Sequence, residues 1–120
     1  MSDQISKLPP QVQERLLRFQ QLQQTMQSVL AQKQQVEMEK TEVEQTLKEL
    51  QKTSDDAVIY KTAGSLLIKA EKTKLTEELV ERKELLNTRS LVLAKQEERI
   101  RSQVKEAQTK LQADLQPVSL

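Results

Sequence analysis

Apolar side chains recur every seven residues in the first part of the chain, in two interleaved series. The alternating spacing of three and four residues is typical of a coiled-coil helix whose apolar seam packs on a partner helix. Pro9 and Pro10 suit the first turn of a helix, and the polar segment 53–56 suits its end, so we predict a helix over residues 8–52. The series are Phe19, Met26, Lys33, Lys40 and Leu47, and Leu22, Val29, Val36, Val43 and Leu50.

A second heptad series lies in the last part of the chain. It consists of Leu79, Leu86, Leu93, Ile100 and Ala107. We predict here a second helix over residues 71–116, antiparallel to the first, with Pro117 ending it because proline cannot continue a helix. Its companion series is expected at Leu75, Arg82, Arg89, Gln96 and Gln103, mostly polar, with a change of register after Ile100 that brings in Val104, Leu111 and Leu115.

The segment between the helices, residues 56–70, has the composition of two short strands. Its first apolar run is β-branched and aromatic, and the only glycine of the chain, Gly64, can occupy a tight turn before the second run. An isolated two-stranded hairpin is marginal in water, so we expect this hairpin to pair with hairpins of other chains. The alternative is a small local core against its own helices. The expected oligomer interface is Val58, Ile59, Tyr60, Gly64, Leu66, Leu67 and Ile68.

Composition supports long helices over a compact core. Aromatic residues make up 2% of the 120 residues and charged residues 31%, with 18 glutamines and three prolines, as expected of a coiled coil. Regularly spaced leucine and valine argue against disorder. The net charge of +1 gives little support to nucleic-acid binding, and we see neither a signal peptide nor a membrane span. We therefore expect a soluble, cytoplasmic protein without nucleic-acid or membrane partners.

Catalysis has little basis in the residue types. The chain has no histidine and no cysteine, which removes the usual general base of neutral pKa and the thiol nucleophile. Asp55 and Asp56 are interpreted as the end of a helix, since calcium or magnesium sites need several converging oxygens. There is no glycine-rich phosphate loop. We expect no enzyme activity, no cofactor and no metal site.

The middle segment resembles the hairpin of beta-class prefoldin subunits of the archaeal type. The resemblance rests on the sequence DDAVIYKTAGSLLIKA at residues 55–70, supported by LPPQVQ at 8–13, and it extends over nearly the whole chain. One hairpin per chain is typical of the beta class and unlike the alpha class. The resemblance implies an ATP-independent holdase: a hexamer of two alpha and four beta subunits, with a double β-barrel platform and six coiled-coil arms. Such a complex holds unfolded polypeptides and passes them to a group II chaperonin.

The arm tips are the expected client-binding site. In an antiparallel helix pair the residues before Phe19 lie opposite those after about Val104, and apolar side chains left exposed there would mark an interaction site. The alternative from the residues alone is that they continue the seam and fray; the resemblance favours client binding. The expected site is Leu8, Val12, Leu16, Leu17, Val104, Leu111, Leu115 and Val118.

Two other classes of protein compete with a chaperone. A structural coiled-coil tether or oligomerisation module without chaperone activity needs a turn between its helices, whereas this chain has two apolar strands there. A membrane-surface helix needs basic residues concentrated on one face, and the near-neutral arms lack them. The hairpin thus favours the chaperone interpretation.

Overall fold

A computed structural model describes residues 7–115 as two long helices joined by a β-hairpin. Helix α1 spans Pro10–Lys52, strand β1 Ile59–Ala63, strand β2 Leu66–Ala70 and helix α2 Lys72–Leu115. The predicted fold class, mostly helical with one antiparallel hairpin, is confirmed. Pro117 and Val118 lie outside the described residues.

The described residues form two compact units, and both helices contribute to each. The hairpin unit comprises residues 33–92 and includes both strands. The terminal unit comprises residues 7–32 and 93–115. In the hairpin unit the helices are antiparallel, because Glu37 of α1 accepts a hydrogen bond from Ser90 of α2 at 2.9 Å while Glu44 pairs with Lys83 at 3.9 Å. In the terminal unit Arg15 of α1 forms an ion pair with Asp114 of α2.

The seam of α1 follows the predicted heptads. The series that is apolar throughout is buried at each of its five positions, Leu22, Val29, Val36, Val43 and Leu50. Its companion series is half-buried, including Lys33 and Lys40, whose aliphatic stems can pack while the ammonium groups reach water. Val36 and Leu86 are the most deeply buried side chains, at 1% and 2% exposure, and both belong to the hairpin unit.

The companion series predicted on α2 is wrong by one residue at its three middle positions, whereas Leu75 and Gln103 are half-buried as predicted. Arg82, Arg89 and Gln96 are exposed, whereas the half-buried positions are one residue further on. These are Lys83, Ser90, Glu97 and Val104, followed by the buried Leu111. The series therefore continues every seven residues through Leu111, and the predicted change of register after Ile100 does not occur. Because three of these five positions are polar, the apolar pattern carried no signal for them.

The hairpin closes through a two-residue turn at Gly64 and Ser65. Ala63 pairs with Leu66, and Gly64 has φ of 61°, as a type II′ turn requires at its first central position. No heavy atom lies within 4 Å of a Cβ built on Gly64, so the requirement for glycine comes from the backbone and not from crowding.

Replacing Gly64 by alanine is expected to destabilise the protein by about 1–2 kcal/mol, the usual cost of a left-handed conformation for an L-residue. Urea unfolding followed by circular dichroism measures the change. Ser65→Ala is the matched control, because among the described residues no position other than glycine has a positive φ. Equal unfolding midpoints for the two variants would contradict the assigned turn.

Lys72, at the start of α2, holds the end of α1. Its ammonium group donates to the Thr53 carbonyl at 2.7 Å and to the Asp55 carboxylate at 3.0 Å. The carbonyls at the end of a helix lack intrahelical partners and carry partial negative charge, so a cation there is favourable. Lys72 thereby links the segment that precedes the hairpin to the helix that follows it.

We expect Lys72→Met to lower the free energy of unfolding by about 1 kcal/mol, the typical contribution of a hydrogen bond that is lost from a partly buried site. Thermal unfolding at fixed protein concentration measures it. Lys74→Met is the control, because Lys74 is exposed and its nearest carboxylate, on Glu71, is 3.8 Å away. Our assignment fails if Lys74→Met is as destabilising as Lys72→Met.

Candidate functional site

The register of the hairpin assigns its side chains to two faces. Cross-strand partners lie on the same face of a strand pair, and successive residues alternate between faces. Ile59, Lys61, Ile68 and Ala70 therefore share one face, and Tyr60, Thr62, Leu67 and Lys69 share the other. Each face carries large apolar side chains.

The chain's own helices leave most of this apolar surface uncovered. Tyr60, Leu66, Leu67, Ile68 and Val58 are between 43% and 70% exposed, while Ile59 is half-buried. Within the part of the chain described by the structure, the sheet has only two strands, so each strand also has one unpaired edge. Unpaired edges with apolar faces favour pairing with another chain. The local core that was the alternative for these residues does not form around Leu66 or Leu67.

A second set of contacts ties the hairpin to the start of α2. The Lys61 ammonium group lies 3.4 Å from both carboxylate oxygens of Glu78. Beside this pair is a groove of about 280 Å³ with Ile68 and Leu75 among its lining residues. These contacts, together with Lys72, hold the hairpin at one orientation to its helix.

The terminal unit carries the residues predicted to bind clients, and they differ in exposure. Leu17 and Leu115 are exposed, at 56% and 52%. Leu8, Leu16 and Val104 are half-buried. Val12 and Leu111 are buried and so contribute to packing between the helices. Val118 lies outside the described residues.

Leu16 and Leu17 border a shallow depression on the surface of α1. Its other lining residues are Pro10, Gln13, Glu14 and Gln20. The start of α1 is fixed beside it, since the Gln13 side chain donates to the Leu8 carbonyl at 2.7 Å. This end of α1 therefore presents the exposed Leu17 beside the half-buried Leu16, with polar side chains around them.

Neither region has the geometry of a metal centre. No group of three or more acidic side chains, cysteines or histidines that could hold a metal ion is found among residues 7–115. In the same residues, no helix is both long enough and apolar enough to cross a membrane. What the two regions offer is exposed apolar surface, suited to binding polypeptide.

The sequence analysis did not predict two contacts in these regions. The role of Lys72 at the end of α1 has no local signal, because its partners Thr53 and Asp55 are 17 or more residues away in sequence. The ion pair between Arg15 and Asp114 likewise joins opposite ends of the chain. The only indication of these contacts in the sequence is that residues of opposite charge lie near the helix ends.

Comparison with known sequences relates the chain to one family. The profile of the family described as "Prefoldin subunit" matches residues 13–117. The prefoldin subunit beta of Methanothrix thermoacetophila is 48% identical over 109 residues, which is 91% of each protein. That of Pyrococcus furiosus is 42% identical over 113 residues, covering 94% of this chain and 97% of the relative.

A solved structure shows the same architecture. The crystal structure of the prefoldin beta subunit from Thermococcus strain KS-1 superposes with a TM-score of 0.80 at 40% sequence identity. The match covers 93% of this chain and 98% of that one. Sequence and fold therefore agree on a single family over almost the full chain.

Proposed function

The chain belongs to the prefoldin family as a beta subunit and acts as a chaperone subunit in complex with other prefoldin subunits, and we propose that its two exposed regions have separate functions. One region assembles the complex and the other binds unfolded polypeptides. The hairpins join four beta and two alpha subunits into a hexamer through a shared β-barrel platform. The terminal units hold unfolded polypeptides in the cytoplasm and release them to a group II chaperonin. No step requires nucleotide or chemistry on the client.

The exposed hairpin is the observation that carries the assembly proposal. Its apolar side chains lie on both faces, with Leu67 at 70% exposure, and each strand has a free edge in the described chain. A barrel buries one face and pairs both edges, which removes that face and the free strand edges from water. A structural tether would not require exposed apolar surface on its hairpin.

The client-binding proposal rests on the exposed leucines of the terminal unit. Leu17 and Leu115 present apolar surface on opposite helices of one unit, with the half-buried Leu8, Leu16 and Val104 as further contacts. Burial of apolar area is non-directional, so such a surface can bind clients that share only unburied hydrophobic residues.

Replacing Leu17 and Leu115 together by serine is expected to reduce suppression of client aggregation severalfold while leaving assembly unchanged. A leucine side chain that is fully buried against a client contributes about 1.5–3 kcal/mol to the binding free energy, and a partly buried one contributes less. Its replacement by serine removes this contribution. The measurement is light scattering of a denatured reporter protein diluted into the assembled complex. The mass of the complex is determined in parallel.

The matched control replaces two equally exposed leucines of the hairpin unit, Leu85 and Leu91, by serine. If this control loses as much activity as the Leu17 and Leu115 variant, clients are not bound at the terminal unit. If the wild-type complex assembles but leaves aggregation unchanged, the structural tether becomes the better account.

A further inference from the structure

The two units differ in their balance of charge. Residues 7–32 and 93–115 of the terminal unit contain eight basic and five acidic side chains, whereas residues 33–92 contain eleven basic and twelve acidic ones. The near-zero net charge of the whole chain therefore conceals a cationic terminal unit. An excess of one sign near a binding surface raises the local concentration of oppositely charged partners.

Part of this excess lines a groove between the two helices of the terminal unit. The groove has a volume of about 260 Å³ and is bordered by Leu22 and Ala107, with three cations, Arg15, Arg18 and Lys110, around it. Glu106 is the one carboxylate among its lining residues. Leu22 is buried and Ala107 half-buried, so the apolar part of the groove is a small floor between the helices. A small apolar floor surrounded by cations is complementary to an apolar segment that carries a negative charge.

The three cations differ in how far they are already neutralised. Arg15 forms its ion pair with Asp114, and Lys110 lies 3.5 Å from Glu106. Arg18 has neither a hydrogen bond nor an ion pair with any of residues 7–115. Its guanidinium group offers a planar set of donors that matches a carboxylate. Arg18 is thus the group that can bind an added anion without breaking an existing contact.

We propose that this groove is an anionic subsite of the client-binding surface, in which Arg18 binds an aspartate or glutamate side chain next to an apolar segment of the unfolded client. The inference rests on the client binding proposed above and names the class of segment that is favoured. Exposed ion pairs are weak individually and sensitive to salt. The subsite therefore changes the relative affinity of different clients and does not replace the apolar contacts.

The test uses the assembled hexamer and three fluorescent peptides with one apolar core flanked by aspartate, serine or lysine. Fluorescence anisotropy gives the dissociation constants at low and at physiological salt. Arg18→Gln is expected to weaken binding of the aspartate-flanked peptide about two- to fivefold, as for other exposed ion pairs. Binding of the serine-flanked peptide stays unchanged, and the difference shrinks as salt is added.

Arg99→Gln is the matched control. Arg99 belongs to the same unit and, like Arg18, has no ion pair with residues 7–115, but it does not line the groove. If the two variants lose the same affinity for the aspartate-flanked peptide, the groove is not the site. The preference would then come from the overall positive charge of the terminal unit. Equal affinity of wild type for all three peptides would overturn the anionic preference while leaving client binding intact. Failure of every peptide to bind would instead count against client binding itself.

Discussion

Subunits carrying Leu67→Glu together with Ile68→Glu are expected to remain outside the hexamer when mixed with alpha subunits. The two side chains project from opposite faces of the hairpin, so at least one carboxylate falls in the barrel interior whichever face is turned inward. An unpaired charge taken out of water costs several kcal/mol, and each of the four beta subunits of the proposed hexamer would carry the change. Light scattering on a sizing column gives the mass of the product.

The matched control introduces the same two charges elsewhere in the hairpin unit, as Leu85→Glu and Leu91→Glu. Both leucines are exposed on α2, so helix content and assembly should persist. A hexamer of normal mass formed by the Leu67 and Ile68 variant would refute the platform. Loss of assembly in both variants would show that charge anywhere in the unit is disruptive, and the hairpin would lose its special role.

Leu86→Ala has the largest expected effect on the stability of the helix pair. Leu86 is 2% exposed, and removing a buried leucine side chain costs about 2–5 kcal/mol through lost burial and the cavity that remains. That loss is a large part of the roughly 5–15 kcal/mol by which folded proteins are stable. Urea unfolding measures it at one fixed protein concentration, because assembly contributes to apparent stability.

The neighbouring residue provides the control for this prediction. Leu85 is 63% exposed, and its replacement by alanine should change the free energy of unfolding by about 0.5 kcal/mol or less. The two variants have the same composition, so a difference between them reports position alone. Similar losses would mean that α2 is rotated relative to the seam described above.

The sequence was sufficient to predict the elements of this fold because each has a clear local pattern. Heptads from Leu22 to Leu50 predicted the buried side of α1, and one glycine among β-branched residues predicted the hairpin. The second series of α2 was misplaced because Lys83, Ser90 and Glu97 are polar, and periodicity of apolar residues says nothing about polar seam positions.

For the candidate sites the sequence predicts a region of the chain but not the exposure of each side chain. The proposed client surface at the chain ends follows from the antiparallel arrangement of the two helices. Which apolar side chains are exposed depends on the rotation of each helix about its axis, so Val12 and Leu111 are buried while Leu17 is exposed. Whether Arg18 has an ion pair depends on which carboxylates lie near it. This depends on how the two helices are placed against each other, which the sequence does not show.

The position of Tyr60 has a consequence for spectroscopy. It is the only tyrosine of the chain, which has no tryptophan, and it lies on the hairpin with 58% of its surface exposed. Tyrosine emission from this subunit therefore originates from a single ring on the hairpin. With partner subunits that lack tyrosine and tryptophan, the quantum yield of that emission would report the proposed assembly of the hairpins in unlabelled protein.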